Sequence, residues 1–140
     1  MTRRVRNLIC IWIIFGGLAN FIVYTVAYSY IGGDARNGQV RSGKYYVGGH
    51  FIHGLDGQFA EVPKGVWIYS YLHSISIWPT IAAVLLSTLV MARPHIIATM
   101  KEGVVSGQTL IAIFATVIIL LVGAMTTWFI ADFIRTLSEV

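Results

Sequence analysis

The sequence predicts an all-α integral membrane protein with three transmembrane helices. The 140-residue chain is 56% hydrophobic and 11% charged, with a mean hydropathy of +0.73, which is too apolar for an ordinary soluble domain. The stretches 7–33, 65–92 and 103–131 contain no Asp, Glu, Lys or Arg. Each is longer than the ~20 residues that a helix needs to cross a hydrocarbon layer about 30 Å thick.

The first predicted helix covers about residues 8–30. A basic start followed by an apolar run also occurs in secretory signals, but this run continues to Ile31 and exceeds the roughly 7–15 residues of a signal core. It is therefore interpreted as a retained span. Gly32-Gly33-Asp34 is expected to end it, because glycine accepts the left-handed conformation that closes many helices and a polar turn follows.

Residues 31–65 form a Gly-rich polar segment that is predicted to lie outside the membrane. The runs Gln39–Val47 and Gln58–Val62 are β-prone, and they predict a small β-hairpin. An irregular Gly-rich loop is the alternative. Two dipeptides in this segment favour turns: Gly48-Gly49 and Asp56-Gly57.

The second and third predicted helices cover about residues 66–92 and 104–134. The loop 93–103 between them is short, so we expect these helices to be adjacent and antiparallel. Pro79 is expected to bend the second helix, because proline removes one backbone donor. The whole chain, 1–140, is predicted to be a single membrane domain.

Orientation is predicted from the basic residues. The two sides of the predicted topology carry five Lys or Arg residues each, so the count alone does not decide. Arg3, Arg4 and Arg6 directly precede the first span, which usually dominates. We therefore expect a cytoplasmic N-terminus, an extracytoplasmic segment 31–65 and C-terminus, and a location in a bacterial inner membrane.

Each predicted helix carries one face of small and polar residues at helical spacing. Such faces favour helix association in lipid through close packing and hydrogen bonds. A rise of ~1.5 Å per residue places Asn20 and Ser76 at the same depth and predicts a hydrogen bond between them. The residues predicted to form this packing cluster are Gly17, Asn20, Tyr24, Tyr69, His73, Ser76, Thr80, Gly123, Thr126 and Thr127.

His73 is the one ionisable side chain of the Asp, Glu, Lys, Arg or His type well inside a predicted span. Such groups often mark functional sites. An interhelical hydrogen bond to Tyr24, Tyr69 or a threonine is one role, proton or ligand binding is a second, and metal or haem ligation is a third. His50 and His53 are further candidate metal ligands, although their Gly-rich context does not favour a helix that would bring them to one side.

No catalytic or cofactor motif is present, and no family motif maps onto the chain. Asp34 and Asp132 fall near the predicted ends of two spans and are expected to be solvated at the membrane edge; a cluster with His73 is the alternative. We expect that the protein is not an enzyme. Cys10 is the single cysteine, so no disulfide within the chain is possible.

These features favour a small membrane protein that acts by protein–protein interaction, as an accessory, assembly or protective, immunity-like subunit. A homo-oligomeric channel or carrier with a polar path near His73 is an alternative, and a haem- or metal-binding redox subunit is another. The expected partners are lipids and other membrane subunits or further copies of the chain. Nucleic acid is not expected, because the basic residues flank the apolar runs. The leading hypothesis needs no cofactor.

Overall fold

The computed structural model describes residues 2–49, 59–101 and 104–138. The three predicted helices are confirmed, and each is long and apolar enough to cross a membrane. A small β-sheet is formed by the segment that follows the first helix and precedes the second in sequence. The elements in chain order are α1 (Arg3–Ile31), β1 (Asp34–Arg41), β2 (Lys44–Gly48), β3 (Phe59–Val62), α2 (Lys64–Thr99) and α3 (Gly107–Ser138).

Helix α1 begins earlier than the predicted residue 8. Thr2 caps the first turn, because its side-chain oxygen accepts a hydrogen bond of 3.4 Å from the backbone N–H of Val5. At the other end, Gly32 adopts a φ of 93° and donates a hydrogen bond to Tyr28 O. The predicted role of Gly32 in ending this helix is confirmed.

Helix α2 ends at Thr99 rather than at the predicted residue 92, so it contains both Pro79 and Pro94. Proline removes a single backbone donor, and helical hydrogen bonds resume after Pro94. The hydroxyl of Thr99 lies 2.9 Å from His95 O and closes the last turn. The predicted loop 93–103 is therefore too long.

Helix α3 begins at Gly107 rather than 104 and ends at Ser138 rather than 134. Ser106 caps it, because its Oγ accepts a hydrogen bond of 3.1 Å from the backbone N–H of Thr109. The last turn carries Arg135, a favourable charge at the negative end of a helix.

The segment between α1 and α2 forms a three-stranded antiparallel sheet in the order β1-β2-β3. The predicted hairpin corresponds to the pairing of β2 with β3. The prediction of one continuous strand-forming run, Gln39–Val47, is wrong, because these residues are divided between β1 and β2. The run is broken by a two-residue turn at Ser42 and Gly43, whose φ angles are 50° and 75° and fit a tight hairpin. Gly48 lies in β2 rather than in a turn.

The described chain contains two compact units. The first comprises Met1–Ala19 and Trp78–Met125, and the second comprises Asn20–Ile77 and Thr126–Val140. The second unit holds the buried apolar cluster, which consists of Ala35, Tyr45, Val47, Trp67 and Tyr71. This core forms because alternate residues of β2, Tyr45 and Val47, point to the same face of the sheet.

The apolar surfaces of the helices are largely uncovered by the chain itself. In the most apolar 18-residue window of each helix, only 6% of the residues are buried. Large side chains such as Trp12, Phe15 and Leu120 are more than half exposed. Within the described residues, the fully buried apolar side chains therefore include no Leu or Ile, and most of them lie around the sheet.

Candidate functional site

His73 lies on α2 in the second unit, in contact with two tyrosines. Its ring packs edge-on against Tyr24 of α1, with centroids 5.3 Å apart, and against Tyr69 of α2 at 5.5 Å. The ring nitrogen Nδ1 is 3.1 Å from the Tyr69 hydroxyl. Nε2 has no hydrogen-bond partner within the described residues. Tyr24, Tyr69 and His73 are thus brought together.

Asp34 is the buried acidic group of this region. Its side chain accepts hydrogen bonds of 2.8 Å from the Tyr24 hydroxyl and 2.8 Å from the backbone N–H of Asn37. The residue is only 6% exposed, so the expectation that Asp34 is solvated at a membrane edge is wrong. A carboxylate can be buried here because both of its oxygens accept hydrogen bonds.

Ser70 attaches α2 to β1, and Ser74 bonds to the backbone of Ser70 within the same helix. The Oγ of Ser70 accepts a hydrogen bond of 3.0 Å from the backbone N–H of Ala35, and Ser74 donates one of 3.0 Å to Ser70 O. Both serines are buried. The packing pattern of the sequence did not include them, although their spacing of four residues places them on one helical face.

A small cavity lies beside these groups. Its lining includes Tyr24, Tyr28, Asp34, Ser70 and His73. The centre of a water molecule can occupy a volume of about 10 Å³ in this cavity, which is roughly the space that one water needs. The cavity can therefore hold a water against the polar groups, and it is far too small for a haem.

A larger depression, the α1–α2 groove, opens on the surface of the second unit. It has a volume of about 410 Å³ and is lined by Asn20, Val23, Tyr69, Leu72 and His73. Asn20, Tyr69 and His73 bring hydrogen-bonding groups to it, whereas Val23 and Leu72 are apolar and half exposed. The groove therefore presents polar groups within an otherwise apolar surface.

The predicted hydrogen bond between Asn20 and Ser76 is present. The distance from Asn20 Nδ2 to Ser76 Oγ is 3.4 Å, and Ser76 donates in turn to His73 O at 2.7 Å. These contacts connect α1 with α2 through Asn20 and His73, which both line the groove.

A second polar group lies around Asp132 of α3. Its Oδ2 accepts a hydrogen bond from the Tyr71 hydroxyl and lies 3.4 Å from the Arg36 guanidinium. The Cζ atom of Arg36 is 4.9 Å from the centre of the Phe129 ring. Asp132 is thus bound within the protein by a tyrosine and an arginine, and solvation alone does not describe it.

The other predicted packing residues belong to different environments. In the first unit, a Cβ on Gly17 would lie 2.3 Å from Val84 Cγ2 and 3.3 Å from Thr80 Cγ2, so α1 and α2 pack closely at Gly17. Around Gly123 of α3, a Cβ would meet nothing within 4 Å. In the second unit, Thr126 is half-buried and Thr127 is exposed.

Metal ligands are not gathered in the part of the chain that the structure describes, where no three His, Cys, Asp or Glu side chains come together. Of the three candidate ligands, His50 and His53 lie outside the described residues, and His73 has tyrosines as its neighbours. A metal at His73 stays a prediction.

Comparison with known proteins gives no match to a protein-family model, to a curated protein or to a solved structure.

Proposed function

We propose that the protein is a small integral membrane subunit that acts by binding another membrane protein, whose transmembrane helix occupies the α1–α2 groove. An accessory, assembly or protective role fits this mode of action. One observation carries the proposal: polar groups of Asn20, Tyr69 and His73 line an open groove on helices that are otherwise apolar on their surface.

The physical argument concerns the cost of exposing these groups to lipid. Hydrocarbon offers no hydrogen bonds, so a polar side chain that faces it without a partner is unfavourable. The Nε2 nitrogen of His73 has no partner within the described part of the chain. A helix with serine, threonine or asparagine in the groove would supply one, and interhelical hydrogen bonds of this kind contribute about 0.6–2 kcal/mol.

Site-specific photo-crosslinking in membranes tests the proposal. A photoreactive residue is placed at Leu72, which lines the groove and is 50% exposed. The matched control position is Leu120 of α3, which is 66% exposed. We expect a discrete adduct with an integral membrane protein from position 72, its loss in the His73→Leu background, and only lipid adducts from position 120.

Two results would count against partner binding at this groove. One is lipid adducts alone from both positions. The other is an adduct at position 72 that His73→Leu leaves unchanged, because the polar groups would then play no part in recognition.

A homo-oligomeric channel or carrier is a second candidate, favoured by the ionisable ring of His73 in the same groove. In that case the adduct from position 72 would be a second copy of the chain. Proteoliposomes would then show an ion or solute flux that His73→Ala changes. Absence of flux together with a heterologous adduct would eliminate this candidate.

A further inference from the structure

A second groove, the α2–α3 groove, lies within the first unit and is apolar. It has a volume of about 300 Å³. From Leu85 to Ile96, its α2 wall is about 16 Å long at the rise of an α-helix. Its lining includes Leu85, Thr88, Ala92 and Ile96 of α2 and Leu110 and Phe114 of α3.

The side chains that line this groove leave no free hydrogen-bond donor for a ligand. Thr88 is the polar residue among them, and its hydroxyl donates to Val84 O at 2.9 Å within its own helix, so that only its oxygen can still accept. A polar ligand would therefore lose more hydrogen bonds to water than the groove can replace. The lining favours a hydrocarbon chain.

Two basic residues lie close in sequence to the Ile96 end of the α2–α3 groove. Arg93 does not line the groove, but it is four residues after Leu89 and three before Ile96, which do, and residues at these spacings are neighbours on the helix surface. A Cβ on Gly107, the first residue of α3, would lie 2.9 Å from Ile96 O, so α3 begins close to the last turn of α2. Lys101 lies in the connection between these two points. Both basic residues are exposed.

The distribution of charge supports an anionic ligand. The sequence of the first unit carries five basic residues and one acidic residue, Glu102, which lies outside the described residues. The second unit carries five of each sign. The net charge of +4 of the chain therefore belongs to the first unit, which contains the α2–α3 groove.

We infer that the α2–α3 groove binds one acyl chain of an anionic phospholipid, with the phosphate group near Arg93 and Lys101. The volume of about 300 Å³ is many times the ~10–15 Å³ that a single water needs on the same measure. That is enough for much of an acyl chain. A zwitterionic lipid has the same chain but lacks the net negative charge that the basic residues favour.

This inference rests on the membrane location in the proposed function, but not on partner binding at the α1–α2 groove. Alkaline carbonate extraction of membranes checks the location by itself. A chain that stays in the membrane pellet but lacks the lipid preference would contradict only the inference made here.

Native mass spectrometry of the full chain, titrated with phosphatidylglycerol or phosphatidylcholine in detergent, tests the inference. We expect about tenfold tighter binding of phosphatidylglycerol, a preference that two cations near the headgroup provide. Ala92→Phe fills the groove and should weaken binding of both lipids about tenfold. Ala124→Phe is the matched control at an exposed position of α3 and should leave binding unchanged.

The double variant Arg93→Gln/Lys101→Gln should retain lipid but bind the two headgroups equally. Circular dichroism of each variant establishes that it is folded before lipid is added. Equal binding of both lipids by the unaltered chain would overturn the inference. Equal effects of Ala92→Phe and Ala124→Phe would also overturn it, as would a groove occupied by a second copy in place of lipid.

Discussion

The hydroxyl of Tyr71 donates a hydrogen bond to the carboxylate of Asp132, and this contact joins α2 to α3 within the second unit. The same Asp132 oxygen lies 3.4 Å from Arg36 of β1. Tyr71 is 2% exposed and belongs to the apolar cluster with Trp67 and Val47. One side chain therefore takes part both in the core and in the polar contact between two helices and the sheet.

Tyr71→Phe should lower the free energy of unfolding. The change keeps the ring in the core but removes one donor to Asp132, and a charged group that loses a partner costs about 1–3 kcal/mol. The measurement is denaturant unfolding in detergent micelles, followed by circular dichroism.

Tyr30→Phe is the matched control for this experiment, because Tyr30 is 94% exposed. It should leave the unfolding curve in place. If the two variants unfold alike, the hydrogen bond from Tyr71 to Asp132 contributes nothing to stability.

Alanine substitutions at two adjacent glycines of α1, Gly16 and Gly17, should have opposite effects on the free energy of unfolding. Gly17→Ala should destabilise the protein by about 1–3 kcal/mol, because the new Cβ would meet the stiff side chain of Val84 at 2.3 Å. Gly16 has nothing within 4 Å of a Cβ. Gly16→Ala should therefore stabilise the helix by about 0.5–1 kcal/mol through the higher helix propensity of alanine.

The same detergent unfolding measurement compares the two glycine variants. Equal effects at Gly16 and Gly17 would show that close packing of α1 against α2 at Gly17 does not occur.

The sequence was sufficient to predict the helices because their apolar runs are long and uninterrupted. It also predicted the Asn20–Ser76 hydrogen bond, since helical rise fixes depth along a span. The first part of strand β1, residues 34–38, precedes the β-prone run and could not be predicted in this way. The sequence of the whole strand, DARNGQVR, is polar and lacks alternation, and the strand is held by backbone pairing with β2 and by the hydrogen bond from Ala35 to Ser70.

The burial of Asp34 was missed for a related reason. A carboxylate beside a helix end is normally solvated, and its hydrogen-bond partner Tyr24 becomes a neighbour only when β1 packs beside α1. Tertiary contacts of this kind leave no periodic pattern in the sequence.

The ion pair between Lys44 of β2 and Glu61 of β3 predicts a small dependence of stability on alkaline pH. The nitrogen Nζ of Lys44 is 3.0 Å from Glu61 Oε2, and this hydrogen bond raises the pKa of Lys44 above its ordinary value of 10.5. A raised pKa in the folded state means that the pair contributes stability below the ordinary pKa. That contribution is lost as the pH rises through the raised value.

Thermal unfolding from about pH 9 to about pH 12 measures this effect by comparing the unaltered chain with Lys44→Gln. The difference in stability should shrink as the pH rises, and it should be small throughout because both side chains are more than half exposed. Glu61→Gln is the control and should remove the pH dependence of the difference. A difference that grows with pH would contradict the sign of the shift.

A double-mutant cycle on Asn20 and Ser76 measures the contact beneath the α1–α2 groove. Asn20→Leu and Ser76→Ala should each destabilise the protein, and the double variant should lose less than the sum of the two. The 3.4 Å hydrogen bond predicts a coupling free energy of about 0.6–2 kcal/mol.

The control cycle combines Thr25→Val with Ser76→Ala. The Thr25 hydroxyl donates to Phe21 O on its own helix, so the coupling free energy between Thr25 and Ser76 should be near zero. Since Ser76 also donates to His73 O, a coupling of zero in the first cycle would mean that α1 does not help to position His73 through this contact.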